Sequence, residues 1–273
     1  MIAAFRTELV KQVLRLRTFV VLAIVVLIPV IMTIANKANP PGGGERGGGP
    51  GEGLRRLTQE TGLIMPAFAL RLMSVFLLVI VVALFAGDAV AGDASWGNLR
   101  YLLVRPVKRA RVIGSKLAVS VLLSWVAIVL VVVVALAAGV IAFGSSGLNV
   151  GFGFSQSRGE LLGHLGLATV YVAWALTGVL AFSFMVSTMT DSPAGAISAG
   201  VGLYFLSQIL DSITALGSIR YGLPTHYFDS WVDMFTRNHV GSDLARGALL
   251  QLGYILLFCG IAAWWFRRKD ILS

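Results

Sequence analysis

Charge is scarce in this chain. Of its 273 residues, 13% are Asp, Glu, Lys or Arg and 57% are hydrophobic, where soluble domains carry about 25% charged and about 45–50% apolar residues. A water-soluble fold could not hide that much apolar surface behind so few charges. A soluble enzyme, a disordered protein and an autonomous nucleic-acid binder are therefore excluded as first readings. Cysteine is nearly absent too: Cys259 stands alone in an apolar stretch, so no intrachain disulfide and no cysteine-built metal cluster is expected. No Ser/His/Asp, H-E-x-x-H or paired-carboxylate pattern occurs, and His164, His226 and His239 are scattered. The Walker pattern G-x-x-x-x-G-K-[ST] is also missing, Gly114-Ser115-Lys116 being its nearest approach. The expectation is a chain that is not an enzyme, with no catalytic residue, metal or cofactor of its own.

What is present is long apolar runs. A helix of about 20 residues spans the hydrocarbon core of a bilayer, and six runs qualify: 18–35, 66–87, 117–143, 165–187, 194–216 and 247–266. They are continuously apolar, whereas a transmembrane barrel needs alternating segments of about 10 residues. The pieces between them hold at most 30 residues each, too few for a further folded domain of about 50 residues. The fold class predicted is an all-α polytopic membrane protein with one transmembrane domain over 1–273.

The basic residues set its orientation. With both termini inside, the inside pieces hold 13 Lys and Arg in 59 residues and the outside pieces 8 in 81, which favours N-in/C-in. The net charge of +9 is then read as membrane topology and lipid attraction, with no nucleic acid as partner. In residues 1–17, Ile2, Phe5, Leu9, Val13 and Leu16 share one arc of a helix, with Glu8, Lys11 and Arg15 opposite. That pattern predicts an amphipathic interfacial helix ahead of the first span. The Gly-rich stretch 42–50 reads as a flexible outer linker. No internal repeat is visible, so an inverted-repeat transporter gets no support.

The piece between spans two and three, 88–116, is the most informative. It runs Asp93-Ala94-Ser95-Trp96-Gly97-Asn98-Leu99-Arg100-Tyr101-Leu102-Leu103-Val104-Arg105-Pro106-Val107-Lys108-Arg109, and Gly114-Ser115-Lys116 enters span three. Trp96, Leu99 and Leu103 give a short helix one apolar face, and Pro106 ends it. So short a helix has little stability alone and suits a groove in a partner. This stretch resembles the ABC-2 family of ABC-transporter permeases, whose pattern here is an acidic residue, a Gly-Thr-Leu-like turn, a Leu-Leu pair, Pro-Val-x-Arg and a Gly-x-Lys. The ending Trp264-Trp265-Phe266-Arg267-Arg268-Lys269-Asp270-Ile271 is similar to that family's Phe-x-Arg-x-Asp-Ile close. Asp93 stands where the family commonly has Glu, and Asn98 where it has Thr. The resemblance implies a permease subunit of an ATP-driven exporter in the bacterial plasma membrane. Two such subunits, alike or different, would form the pathway, and two ATPase subunits would bind ATP and Mg. It makes Asp93, Trp96, Gly97, Leu99, Arg100, Leu103, Arg105, Pro106 and Arg109 the ATPase-coupling residues. The alternative is a self-sufficient channel or secondary transporter.

Polar residues inside the spans are candidates for a substrate path. Arg71, Ser183, Ser187, Gln208 and Asp211 are named on that ground, with interfacial anchoring, an Arg71–Asp211 pair or helix-to-helix hydrogen bonds as the other readings. In 217–246, Thr225 after Pro224 could cap a helix that places His226, Asp229 and Asp233 on one face. That trio could hold a divalent metal, but a re-entrant or interfacial helix is the preferred reading of this outer segment. The small residues 194/198/202 and 196/200 predict a packing face.

Overall fold

The computed structural model describes residues 2–40, 52–95, 109–151, 154–236 and 241–268. It opens with α1 (Ile2–Val13) and α2 (Leu16–Ala38), then α3 (Glu52–Leu57) and a 3-10 turn, Gly62–Ile64, leading into α4 (Met65–Val75). The long elements α5 (Leu77–Ser95), α6 (Arg109–Phe143), α7 (Arg158–Met189) and α8 (Pro193–Ser212) follow. After α8 come 3-10 turns at Thr214–Gly222 and Ser230–Val232, the short α9 (Asp233–Thr236) and α10 (Ser242–Arg268). The one sheet among the described residues is a hairpin, β1 (Leu148–Gly151) against β2 (Phe154–Gln156). The fold is thus helical apart from that hairpin.

Six helices, α2, α5, α6, α7, α8 and α10, are long and apolar enough to cross a membrane. The second predicted run, 66–87, is not one helix. It breaks at Phe76 (φ −133°, ψ −65°), and the long helix begins at Leu77 and continues to Ser95. Hydropathy is blind to this break because both sides of it are apolar. The loop expected over 88–116 is correspondingly shorter, since α5 carries its first residues and α6 begins at Arg109.

The packing has two central helices. About three quarters of the apolar windows of α5 and α7 are buried, 78% and 72%, against 22% for α2 and α8 and 17% for α10. Small residues make the central contacts close. A Cβ on Gly87 would lie 2.9 Å from the Ile197 backbone nitrogen, and one on Gly200 would strike the Ser183 hydroxyl. Of the small-residue stripe in α8, Ala196 and Gly200 are buried in the bundle, while Ala194, Ser198 and Gly202 are exposed. At one end, Gly62 meets α6 so tightly that a Cβ would sit 2.1 Å from the Gly139 carbonyl oxygen. There the Gly62 N–H donates to the Gly144 carbonyl at 3.0 Å, and Gly144 has a φ of +83°, which glycine adopts without strain.

Candidate functional site

The densest charge in the structure lies where α1, α2, α5 and α6 meet. Asp93, two residues before the end of α5, is 1% exposed. Its Oδ2 accepts from Lys116 Nζ at 2.5 Å and its Oδ1 from Lys11 Nζ at 2.5 Å, with Arg15 Nη2 at 3.4 Å. Lys116, 3% exposed, also donates to Glu8 Oε1 at 3.1 Å and to the Ala89 carbonyl at 2.8 Å. One and a half turns earlier on α5, Asp88 accepts from Arg15 Nη1 at 2.5 Å and from Arg17. Seven ionisable side chains are thereby joined into one clasp. Burying Lys116 would cost several kcal/mol without counter-charges, and Asp93 and Glu8 supply them.

Local sequence explains the clasp. Glu8 and Lys11, at i and i+3, fall on one face of α1, the face opposite the predicted apolar arc, and Arg15 follows in the extended link to α2. That polar face turns toward α5 and α6. Glu8 and Gln12 are buried, Phe5 and Leu9 are half-buried, and Val10, Val13, Leu14 and Leu16 are exposed. The helix ends at Val13, and Arg15 takes an extended conformation as the N-cap of α2, so Leu16 belongs to the next helix. Glu8, Lys11, Arg15, Arg17, Asp88 and Lys116 were not singled out as site residues from the sequence. The signal was available: two acids near the end of an apolar run require partners, and the polar face of residues 1–17 offers them.

Asp93, expected to face a partner, is thus turned into the protein. Trp96, Gly97, Leu99, Arg100, Leu103, Arg105 and Pro106 lie outside the described residues, as do the Arg109 side chain and the Gly-rich stretch 42–50. The clasp sits at both roots of that segment, Asp93 before it and Lys116 after it.

The opposite end of the bundle is covered by residues 213–236. Arg71 on α4, 8% exposed, pairs through Nη2 with Asp229 Oδ2 at 2.6 Å; the Arg71–Asp211 pair considered from the sequence does not form. Asp211 instead meets His226 Nδ1 at 2.5 Å and Arg220 Nε at 3.4 Å. Crowding by protein raises the Asp229 carboxyl above the usual carboxylate range; Arg71 pulls it down and Asp211 adds to the rise. Nearly half of the Asp229 side chain stays open, 46%, so Arg71 is the more deeply held partner.

The helix expected from Thr225 is replaced by turns over 224–229, and the Thr225 hydroxyl is engaged with Ser207 at 2.6 Å. The trio His226, Asp229 and Asp233 is not gathered as a metal site. His226 and Asp229 face Asp211 and Arg71, and no group of three or more potential ligands occurs among the described residues. The segment is gripped at backbone carbonyls by Tyr171 (to Tyr227, 2.7 Å), Gln251 (to Pro224, 3.0 Å), Tyr254 (to Gly222, 2.7 Å) and Gln156 (to Met234, 2.9 Å). Trp231 and Phe235 anchor it in the core at 0% exposure.

Of the remaining path candidates, Gln208 Nε2 donates to the Tyr204 hydroxyl at 3.0 Å. Ser187 accepts from the Val90 and Ala91 amides of α5 at 3.2 and 2.9 Å, tying α7 to α5. The Ser183 hydroxyl is buried against Gly200 without a partner. Arg71, Gln208 and Asp211 therefore cluster at the cap, and the two serines lie between helices.

This architecture is that of a helical protein of membrane type. The chain belongs to the family described as "Protein of unknown function (DUF2705)", which it matches over residues 59–272. It is 22% identical over 204 residues to the "Uncharacterized protein YhcI" of Bacillus subtilis (strain 168), an alignment covering 70% of this chain and 63% of that protein. The chain thus spans less than two thirds of that relative's length.

Proposed function

We propose that this protein is the membrane-embedded permease subunit of an ATP-driven exporter of the ABC-2 type. The observation that carries the reading is the clasp. The segment 96–108, whose Trp96, Leu99 and Leu103 the sequence spacing predicts to share an apolar face, joins two helices bound to each other and to α1 through Asp93 and Lys116. A push on that segment is delivered to rigid elements. The coupling residues in this reading are Trp96, Gly97, Leu99, Arg100, Leu103, Arg105, Pro106 and Arg109, with Asp93 positioning the base of the segment.

In the same reading the clasp end is cytoplasmic, α1 lies in the inner interface with Val10, Val13, Leu14 and Leu16 in lipid, and the cap over 213–236 faces outward. Two permease copies in the plasma membrane form the pathway, and two ATPase subunits supply ATP and Mg. ATPase closure moves the segments and alternates access. The substrate path runs past Ser183 and Ser187 toward Arg71, Gln208 and Asp211.

Affinity purification of the tagged full-length protein from its native membrane tests this. A Walker-motif ATPase should co-purify, and Trp96→Ala or Leu103→Asp should release it while membrane insertion persists. Purified chain that conducts solute in liposomes without ATP or a partner would replace this reading with a channel or secondary transporter.

A further inference from the structure

A large cavity among the described residues lies on the side of the bundle rather than between its ends. A groove of about 570 Å³ runs between α2 and α6, walled by Val30, Ile34, Val133, Ala137 and Ala138 among others, with Lys37 at its polar end. It lies within the volume range of small-molecule sites, about 300–1,000 Å³. Its origin is local. At this level α6 sends Val131 and Ala135 into the core and presses Gly139 against Gly62 and Met65. Between the outward-facing Val133 and Ile141, Ala137 and Ala138 are short and leave space beside α2. The α2 stretch from Val30 to Lys37 rises about 10 Å and the α6 stretch from Val133 to Ala142 about 14 Å, close to one leaflet's share of a hydrocarbon core of about 30 Å.

Charge defines the groove's mouth. Arg55 and Arg56 share Glu52, at 3.6 and 3.8 Å, and Arg55 also caps the end of α2 by donating to the Asn39 carbonyl at 2.9 Å. Lys37 is exposed and has no ion-pair partner among the described residues. At the C-terminus of α2, whose carbonyls would repel an anion, Arg55 meets the Asn39 carbonyl and Gln59 that of Asn36, and the Lys37 ammonium is left over.

We infer that the α2/α6 groove holds an acyl chain of an anionic phospholipid whose phosphate rests on Lys37. The apolar walls take the chain, and the unpaired ammonium at the level of the headgroups takes the phosphate. A second copy of this protein suits the groove less well, because it would bury Lys37, a residue depleted from the cores of protein interfaces. The inference rests on the helices crossing a membrane and is independent of any ATPase partner.

The test is to purify the full-length chain in mild detergent and quantify the lipids it retains by mass spectrometry, relative to the host membrane. The wild type should retain phosphatidylglycerol above its membrane proportion. Lys37→Gln should lower that preference about fivefold while some zwitterionic lipid stays bound, and Ala137→Trp, at an exposed position, should expel the lipid. Lipid in host proportions in the wild type, or undiminished phosphatidylglycerol in Ala137→Trp, overturns the proposal. So does an Ala137→Trp variant whose oligomeric state changes while its lipid does not, since the groove is then a contact between copies.

Discussion

At one end of the bundle, seven ionisable side chains, Asp93 and Asp88 among them, are joined in one cluster; at the other, Arg71–Asp229 and Asp211–His226–Arg220 stand apart, and neutral hydrogen bonds add four further grips. The clasp is cooperative by construction. Removing one partner leaves another charge buried and unmatched, which costs far more than the pair contributes over an apolar equivalent. The cap is held by side-chain donors on single backbone carbonyls, each worth about 1 kcal/mol net and removable one at a time. One end is therefore suited to transmit force without coming apart, and the other to be opened in steps.

That contrast is breakable, beginning with its strongest element. Asp93→Ala should destabilise the protein by about 3–5 kcal/mol, read as a large fall in melting temperature in detergent; adding Lys116→Met should not restore it, because buried Glu8 then loses its cation. If Asp93→Ala melts like the wild type, the clasp is not the rigid end. Gly62→Ala comes next, at about 2 kcal/mol, since its Cβ meets the Gly139 backbone and only movement of α6 can make room. Tyr171→Phe removes one grip on the cap and should cost about 1 kcal/mol, with faster amide exchange confined to residues 224–236; exchange spreading to α5 would show that the two ends are not independent. Arg246→Ala breaks an exposed pair with Asp243, 65% and 56% open, and should leave the melting temperature unchanged.

The sequence makes the helical membrane class readable because six continuous apolar runs leave little else to build. Four runs lengthen, 117–143 to Arg109–Phe143 and 165–187 to Arg158–Met189 among them, while 194–216 stops at Ser212 and 66–87 is split at Phe76. Polar residues such as Lys116 and Glu160 extend these helices because each has a partner, in the clasp or in the capping box with Ser157. The break at Phe76 is invisible to a method that averages hydropathy. At the cap, the grouping of Arg71, Gln208 and Asp211 follows from their depth in the runs, but the partner of Arg71 does not. Only Asp211 was weighed as its partner, and the turns over 224–229 bring Asp229 to Arg71 instead. The clasp was half legible, as a polar stripe on α1 and two acids at the end of α5 that the linear sequence keeps more than seventy residues apart.

The stoichiometry of the clasp has an electrical consequence. Lys11, Arg15, Arg17 and Lys116 face Glu8, Asp88 and Asp93, so the assembly carries one net positive charge. In a membrane potential of 100 mV, one elementary charge crossing the whole field exchanges about 2.3 kcal/mol, and a partial displacement exchanges a fraction of that. A clasp that shifts as one body moves only that single charge, so the field acts on it in proportion to how far it travels. If its helices parted instead, cations and carboxylates would travel separately through the field, and the potential would favour one arrangement over the other. For the permease proposed above, the voltage dependence of transport would therefore report whether this junction moves as one body.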